Sequence, residues 1–446
     1  MTTQHASEQT VIETEVCILG AGGAGCYAAV QLQDRNIPFV VLEKTGRIGG
    51  HSETYREPGD GNFCDIGVRL YPDVPIVRNY YDRFGVKLAK ADLTKGNRVY
   101  VDVKTGKRAP VKDPNPLLIW FSLWRYERII KTRFGFLLKP GLQLPTEVPE
   151  DLLLPFEAFL EKYKLGRSYK PITHYLQGQG TVRSLTTLYA LKNLSVEVTR
   201  CARTNSFVAA ASGVDSLYEK IQTHLGDRLR RHVEVQSVQR NGETIEVTAM
   251  QAGQPITVRC RKLLVTIPPT LENLQGFDLD EREKSLFEKF LPYYYGTVMV
   301  KITGLPTDTV FFAIDGTDPL TGQVIPGIYT IVPTPMKDTY NILYGSEEPL
   351  TEQAVLDDIG GFVQRMSNNL TGQEVKLEAV TLFRLHTPFG THVAPEEIRK
   401  GFYRSLLALQ GHRNTYYLGA AVDTNESRSV WIHAADLIET VFGKGA

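Results

Sequence analysis

The fold is decided by residues 15–44, EVCILGAGGAGCYAAVQLQDRNIPFVVLEK. The β-branched residues at the start are typical of a strand buried on both faces, and residues 23–36 have the composition and length of a helix. Three glycines lie between them: Gly20 allows a tight turn, Gly22 lets the backbone approach a pyrophosphate, and Gly25 lets the helix pack closely on the strand. The helix N-terminus then offers unpaired amides to phosphates, so the stretch predicts a dinucleotide-binding turn.

A second apolar segment, PFVVLEK, follows the helix and predicts a second strand. It ends at Glu43 and Lys44, about twenty residues after the glycines, where a carboxylate accepts the hydroxyls of an adenosine ribose. Strand, glycines, helix, strand and acid in this order predict a dinucleotide site that includes both residues. The pattern alone does not distinguish NAD from FAD.

Composition and charge narrow the class of ligand. The chain has 446 residues, of which 42% are hydrophobic, which is enough for two or three domains. Lys plus Arg and Asp plus Glu are 50 each, which predicts a small-molecule ligand and no nucleic-acid partner. The five cysteines are far apart and form no CxxC pair, which predicts reduced thiols in a cytoplasmic protein and no metal site.

Two segments bear on targeting and on membranes. The first twelve residues are polar, so we expect a frayed terminus rather than a signal peptide. No stretch approaches eighteen continuous apolar residues, which predicts that no segment spans a bilayer. Residues 115–141 alternate apolar and aromatic residues with Arg and Lys at helical spacing, which is typical of an amphipathic helix packed on the protein. The alternatives are a helix that lies on a membrane surface and one that lines an apolar tunnel.

The segments GRIGGHSET (46–54) and DIGVRLY (65–71) carry a resemblance to a known family. They resemble the second glycine motif and the following Asp-x-Gly of the FAD-dependent amine oxidase and phytoene desaturase superfamily. The resemblance implies an extended FAD, with Arg47 near the pyrophosphate and the backbone of Gly49 and Gly50 close to the ribityl chain. It also implies that the isoalloxazine lies over Gly67, Val68, Arg69 and Leu70.

His51 follows the Gly-Gly pair, where relatives often have arginine. The resemblance implies that it contacts the cofactor, and a covalent histidyl link to the flavin is the alternative to non-covalent binding. Cys260 is the last cysteine of the chain. A cysteinyl link near the C-terminus, of the monoamine oxidase kind, is therefore excluded.

Later segments resemble further parts of the same cofactor site. Residues 231–249 alternate like two strands around an Asn-Gly turn and resemble the adenine-contacting strand, with Val233 at the backbone contact. Residues 261–274 read as a strand that ends in a Pro-Pro pair. Residues 414–442 read as a strand, Gly419 and an amphipathic helix, and resemble the terminal motif whose helix faces the flavin pyrimidine ring.

The terminal motif implies contacts by Gly419 and by Val430 in the helix, but the chain departs from the family pattern here. Relatives usually carry an acid within two residues of the glycine, whereas this chain has Gly-Ala-Ala. Either Asp423 substitutes for that acid or the contact is missing.

The resemblance implies an α/β fold of glutathione reductase-like, amine oxidase topology. We expect a Rossmann-type FAD-binding domain with an inserted α+β substrate domain and a helical cap. The predicted FAD-binding domain comprises residues 14–85, 223–274 and 401–446. The predicted substrate domain comprises residues 86–222 and 275–400, with the cap at about 114–195. Helices are expected at 149–165 and 181–194.

Two subfamilies resemble parts of the chain more closely. LLLPFEAFLEK (152–162) and residues 389–419, with the Gly-Gly motif, are similar to the FAD-dependent polyenoic fatty acid isomerases. The segment from Gly49 to Tyr71 resembles fungal flavoenzymes typified by β-cyclopiazonate dehydrogenase.

These resemblances imply that the enzyme abstracts hydride from an activated C–H bond of an apolar small molecule, in a desaturation or an oxidative cyclisation of secondary metabolism. A redox-neutral double-bond isomerase is the first alternative. The second is a flavin-binding partner protein without turnover.

Three residues are expected to act on the substrate. Arg98 falls where the isomerases place an arginine that holds the fatty-acid carboxylate, and its planar donor suits that role. Tyr295 is one of three consecutive tyrosines, and His386 and His392 are further polar candidates. Lys301 resembles the strand lysine that holds a water against the flavin in amine oxidases, although a shift of one residue would give that position to the preceding valine.

Overall fold

The computed structural model describes residues 10–59, 61–92, 96–111, 115–166, 175–317, 323–370 and 372–443. Within these ranges the α-helices are α1 (Gly23–Asp34), α2 (Pro75–Arg83), α3 (Pro116–Arg133), α4 (Phe156–Lys162), α5 (Thr187–Asn193), α6 (Val196–Thr204), α7 (Asp215–Leu225), α8 (Glu281–Phe287), α9 (Glu352–Asn369), α10 (Pro395–Arg399), α11 (Phe402–Leu407) and α12 (Ser427–Phe442). The strands are β1 (Thr10–Glu13), β2 (Val16–Leu19), β3 (Phe39–Leu42), β4 (Thr54–Arg56), β5 (Phe63–Asp65), β6 (Tyr71–Pro72), β7 (Leu88–Ala91), β8 (Asn97–Asp102), β9 (Phe207–Ala210), β10 (Leu229–Arg230), β11 (Val233–Asn241), β12 (Thr244–Gln251), β13 (Gln254–Cys260), β14 (Lys262–Val265), β15 (Leu291–Thr303), β16 (Thr309–Ile314), β17 (Gly327–Pro333), β18 (Thr339–Ser346), β19 (Lys376–His392) and β20 (Thr415–Tyr417).

The glycine-rich stretch builds the centre of a parallel sheet with the strand order β10-β3-β2-β14-β20. β2 is buried on both faces, as its apolar sequence predicts. Val16 and Ile18 face one apolar cluster with α1, α7 and α12, while Cys17 and Leu19 face a second cluster. The predicted α/β fold class of Rossmann type is confirmed.

A second, six-stranded sheet has the order β19-β15-β18-β17-β16-β8. Its pairs are antiparallel except for β8, which runs parallel to β16. Helix α9 packs on one face of this sheet through Val355, Ile359 and Phe362. The sheet brings β8, from the first half of the chain, beside strands that lie two hundred residues later in the sequence.

A third sheet has the order β1-β13-β12-β11. β11 and β12 form the predicted hairpin, whose turn residues are Gly242 and Glu243, between the paired residues Asn241 and Thr244. β1 pairs in parallel with β13, with Thr10 opposite Ile256. The expected frayed terminus is therefore wrong for residues 10–12, and residues 1–9 lie outside the described residues.

The cap helices are shorter than the sequence suggested. The helix expected at 149–165 is interrupted, because α4 begins only after Pro155, whose ring fixes the backbone and removes an amide donor. The helix expected at 181–194 begins at Thr187. The amphipathic segment 115–141 forms α3 and then a short 3₁₀ turn at Gly135–Leu138.

Helix α7 packs on α1 through Leu217 and Ile221, although it falls in the range 86–222 that the sequence assigned to the substrate domain. The domain boundaries themselves stay predictions. Among the helices of the described ranges, none combines the length and the apolar composition needed to cross a bilayer.

Candidate flavin and substrate site

One large cavity, of about 1800 Å³, is lined by residues of both major sheets and of α3. Its walls combine the glycine motifs of the parallel sheet with apolar side chains of the six-stranded sheet. Ligand pockets usually have roughly 300–1000 Å³. The cavity is therefore large enough for a dinucleotide and a second small molecule.

The first glycine motif forms the predicted turn between β2 and α1. Gly20 and Gly22 line the cavity, and Gly25 lies behind them in α1. A Cβ atom on Gly25 would lie 2.0 Å from the Gly20 carbonyl oxygen, so only glycine lets α1 begin this close to β2. The Gly49 amide donates to the Ala21 carbonyl oxygen at 2.7 Å, which joins the two glycine motifs in one wall.

Glu43 follows the end of β3 and lines the cavity together with Lys44. Its carboxylate accepts hydrogen bonds from the amides of Ala21 and Thr45, both at 2.8 Å. A carboxylate has about four acceptor sites, so Glu43 can hold the glycine turn and still accept ribose hydroxyls.

The second glycine motif supplies an adjoining part of the wall, formed by Gly49, Gly50, His51, Gly67, Val68, Arg69 and Leu70. A Cβ atom on Gly67 would lie 1.6 Å from the His51 carbonyl oxygen, so the close approach requires glycine. That oxygen accepts a hydrogen bond from the Val68 amide at 3.0 Å. The two segments predicted to follow the flavin therefore touch through their backbones. Val233 lines the cavity at the start of β11.

Arg47 is absent from the described residues that line the cavity. Its guanidinium forms an ion pair with Glu53 at 2.9 Å, and Glu53 also pairs with Arg384 at 3.0 Å. Glu53 thus links Arg47, in the second glycine motif, to Arg384 on β19. The approach of Arg47 to a pyrophosphate stays a prediction.

Two histidines meet in the cavity wall. The ring centroids of His51 and His386 are 4.7 Å apart, and Phe389 lies 5.5 Å from His51. Burial, the neighbouring imidazole and Arg47 lower the pKa of His51 to about 3, and burial chiefly lowers the pKa of His386 to about 4. Both imidazoles are therefore neutral near pH 7. Within the described part of the chain, Nε2 of His386 has no hydrogen-bond partner, which leaves a buried polar atom for a ligand.

The C-terminal motif contributes Gly419, Val430 and Glu426 to the wall, and the contacts of Gly419 and Val430 with the cofactor stay predictions. Glu426 is the residue before α12 and accepts a hydrogen bond from the Arg428 amide at 3.0 Å. Burial raises the pKa of its carboxyl. Glu426 was not predicted, because relatives carry the acid within two residues of the glycine. The feature that indicates it in the sequence is an acid at the start of a helix.

Asp423, the other acid considered for this position, is absent from the described cavity lining. Its carboxylate pairs with the Lys192 ammonium at 2.9 Å, and both side chains are almost fully buried, with 0% and 4% exposed. It also accepts from the Ser429 hydroxyl at 2.8 Å. Asp423 therefore ties the start of α12 to α5, and of the two alternatives this placement favours the one in which Asp423 does not substitute for the usual acid.

The remainder of the cavity is a mainly apolar chamber. Tyr295 on β15 lines it, 4.9 Å from the Phe389 ring, and burial raises the pKa of its phenol. Arg98 on β8 also lines it. Ile119, Trp120 and Leu123 of α3 also line it, which agrees with the alternative that this helix lines an apolar tunnel. Further lining side chains, which the sequence did not single out, are Phe312, Val332 and Leu343. The chamber suits an apolar molecule that carries a polar or acidic group.

Lys301 is not among the described lining residues. Its ammonium pairs with Glu57 at 3.1 Å, and its side chain is 41% exposed. The pairing of β15 with β19 shifts register between Met299 and Val300 and again after Lys301, so simple alternation does not give the face of each side chain. This position does not support a catalytic role for Lys301, which stays a prediction.

One group of side chains has the spacing of a metal site. The potential ligand atoms of Asp280, Glu283 and His412 lie within 4.8 Å of one another. The Arg240 guanidinium, however, donates to both oxygens of Glu283 at 2.5 and 2.8 Å. The group is therefore explained as an ion-pair network.

The cavity residues fit a flavin adenine dinucleotide. The amides at the start of α1 suit the pyrophosphate, and Glu43 suits a ribose. The start of α12 reaches the cavity through Ser427 and Val430, where the helix dipole stabilises negative charge on a bound ring. Gly20, Gly22, Gly49 and Gly50 line this groove without side chains that would fill it.

Comparisons with known proteins agree with this geometry. An FAD-dependent oxidoreductase, dpasF, from Apiospora sacchari is 31% identical over 440 residues, which cover 95% of this chain and 91% of the relative. A β-cyclopiazonate dehydrogenase from Aspergillus flavus is 31% identical over 430 residues, with 96% and 93% covered. The crystal structure of a CLA-producing fatty acid isomerase from P. acnes shares the fold, with a TM-score of 0.80, 19% identity, and 96% and 99% of the two chains covered.

A family model adds to these relatives. The model described as flavin containing amine oxidoreductase matches residues 24–308, which run from the start of α1 through the second glycine motif to the end of β15. The chain therefore belongs to the flavin-containing amine oxidoreductase family and is an oxidoreductase.

Proposed function

We propose that this protein binds FAD and abstracts hydride from an activated C–H bond of an apolar small molecule, in a desaturation or oxidative cyclisation of secondary metabolism. The observation that carries the proposal is the continuity of the cavity, which runs from the glycine motifs to the apolar chamber without a dividing wall. The names of the fungal relatives, an FAD-dependent oxidoreductase and β-cyclopiazonate dehydrogenase, support this reaction class.

The bound flavin would supply the two-electron acceptor, so the protein has to hold and orient the substrate. Phe312, Val332 and Leu343 exclude water around an apolar skeleton. The neutral imidazole of His386 can accept a hydrogen bond, or a proton at Nε2, from a substrate hydroxyl or amine. The phenol of Tyr295 stays protonated and acts as a donor.

A redox-neutral double-bond isomerase is the second candidate. Arg98 supports it, because its guanidinium lines the cavity on β8, opposite Val310, and suits a fatty-acid carboxylate. The fold shared with the fatty acid isomerase is consistent with it.

Anaerobic stopped-flow mixing tests the proposal and separates the candidates. The purified yellow protein is mixed with lipids, amines, and indole or polyketide compounds while absorbance near 450 nm is followed. Lasting bleaching with one class of compound supports a net oxidation. Product formation without lasting bleaching, in the absence of oxygen, supports the isomerase. If no compound changes the flavin spectrum or is converted, hydride abstraction from apolar molecules is contradicted.

We propose that the flavin is held non-covalently. His51 lines the cavity, so a histidyl link is the alternative. Precipitation with trichloroacetic acid decides between them, since colour left in the supernatant supports non-covalent binding and colour in the pellet contradicts it. The five buried, free cysteines support our further proposal that the protein works in the cytoplasm.

A further inference from the structure

Helix α3 exposes a stripe of side chains to solvent, outside the hydrophobic core. The stripe is Leu117, Phe121, Trp124, Arg128 and Lys131, which follow one another at steps of four, three, four and three residues. Such spacing places all five on one helix face. Leu117, Phe121 and Trp124 are 69%, 58% and 43% exposed. The stripe is therefore apolar in its first half and basic in its second.

The charges of α3 that face solvent are all positive. Arg125, Arg128, Lys131 and Arg133 are exposed. The single acid of the helix, Glu127, is buried and forms a two-pronged ion pair with Arg203, with both distances 3.0 Å. A large apolar surface bordered by unbalanced positive charge is typical of helices that bind anionic lipid surfaces.

The same helix forms part of the cavity wall. Leu117, Ile119, Trp120 and Leu123 line the chamber. Leu117 and Trp120 are at once exposed and part of that lining, so the apolar outer surface is continuous with the apolar interior.

We infer that this face of α3 docks on an anionic lipid surface and that apolar substrate passes from the lipid into the chamber beside Leu117 and Trp120. The route for substrate rests on the proposed function, whereas the docking does not. A second copy of the chain is the less suitable occupant. A two-fold contact would bring the unbalanced positive charge of both copies to one interface, and like charges would oppose association.

Flotation or co-sedimentation with vesicles tests docking in the absence of substrate. The full chain, with its flavin, is mixed with vesicles of phosphatidylcholine alone or with about 30% phosphatidylglycerol. We expect binding to the anionic vesicles, and weaker binding at 0.5 M salt because the charges are screened. Equal binding to both vesicle types, or none to either, would overturn the inference.

Two pairs of variants test the residues. Phe121→Ser/Trp124→Ser removes two exposed aromatic side chains that do not line the cavity, and we expect vesicle binding to fall about tenfold or more. Val11→Ser/Val380→Ser, on exposed positions of β1 and β19, is the matched control and should bind as the parent does. Arg128→Gln/Lys131→Gln should weaken binding roughly fivefold for each charge, whereas Lys220→Gln/Arg282→Gln should leave it unchanged.

The outcomes distinguish a failure of lipid docking from a failure of the proposed reaction. Parent-like vesicle binding by Phe121→Ser/Trp124→Ser would contradict docking by α3. Light scattering without lipid tests the alternative occupant. If the parent is a dimer and this variant is a monomer, the stripe binds a second copy of the chain and not a lipid surface. The visible spectrum of every variant reports bound flavin. A failure of the proposed reaction would appear only in the stopped-flow assay and would leave vesicle binding intact.

Discussion

The Glu43 carboxylate has two functions at a single residue. It fixes the glycine turn through the Ala21 amide, and it presents its remaining lone pairs to the cavity. Hydrogen bonds to a charged acceptor contribute roughly 1.5–3 kcal/mol, about twice the contribution of neutral pairs. The residue therefore couples the conformation of the protein turn to the affinity for the cofactor.

Glu43→Gln should weaken FAD binding about tenfold or more, because the charge-assisted bonds to the ribose are lost. Titration of flavin-depleted protein with FAD, followed by flavin fluorescence, measures the change. Glu246→Gln, in an exposed ion pair with Arg259, is the control and should bind FAD as the parent does. An unchanged affinity in Glu43→Gln would contradict the ribose contact.

The low pKa of His386 makes the free energy of unfolding depend on pH. Burial lowers its pKa to about 4, below the value of about 6.5 in an unfolded chain. Between these values the unfolded chain binds a proton that the native protein does not, so the imidazole destabilises the fold as the pH falls from 6.5 toward 4. The raised pKa values of Asp65 and Glu426 act in the opposite direction, so the comparison must be made against a variant.

His386→Asn should flatten the dependence of the free energy of unfolding on pH by about one proton, or about 1.4 kcal/mol per pH unit, between pH 4.5 and 6. Urea unfolding at several pH values measures this slope. Near pH 7.5 the histidine is neutral in both states, and the two proteins should have the same slope. Parallel curves over the acidic range would show that His386 is not neutral in the native protein.

At the scale of elements, two joints hold the cavity walls in place. The first is the contact of α1 with the turn after β2, which depends on Gly25. The second is the buried ion pair between Lys192 on α5 and Asp423 before α12. Lys192 also donates to the carbonyl oxygen of Gly141, at 2.9 Å. The second joint connects the cap helices to the part of the sheet that carries Gly419.

Gly25→Ala should abolish flavin binding or folding, because the new Cβ would lie 2.0 Å from the Gly20 carbonyl oxygen. The control is Gly360→Ala in α9, where an added Cβ meets nothing within 4 Å. There the substitution should stabilise the protein by roughly 0.5–1 kcal/mol through helix propensity. Thermal unfolding and the visible spectrum measure both variants, and a yellow Gly25→Ala protein with the parent melting temperature would contradict the packing argument.

Asp423→Asn should destabilise the protein by about 3–5 kcal/mol, because the Lys192 ammonium would remain buried without its counter-charge. The exposed pair of Arg399 with Glu150 offers a control, since solvent screens it and Arg399→Gln should leave the stability nearly unchanged. Urea unfolding measures both. If Asp423→Asn kept its stability and instead lost flavin affinity, the acid would belong to the cofactor site after all.

At the scale of the whole molecule, the sequence predicted best what is local in the chain. β2, the glycine turn, α1, β3 and Glu43 follow one another within thirty residues, so their spacing alone defines their arrangement. The resemblance placed β14, Gly419 and α12 correctly beside them.

Contacts between distant segments could not be predicted in this way. Asp423 forms its ion pair with Lys192 on the cap, and Arg47 forms one with Glu53, which also pairs with Arg384 of β19. Sequence spacing reveals neither ion pair. The register shifts in β15 likewise hid the face of Lys301. The aromatic wall of His51, His386 and Phe389 forms only when β19 crosses the second glycine motif.

The division of the cavity between two sheets has an evolutionary consequence. The glycine motifs belong to the parallel sheet and its loops, while the chamber wall comes from β8, from β15 to β19 and from the helix α3. Mutations in the second group can reshape the chamber without disturbing the glycine motifs. A gene of this kind can therefore diverge to admit new molecules by drift on one wall, while the other wall is inherited unchanged.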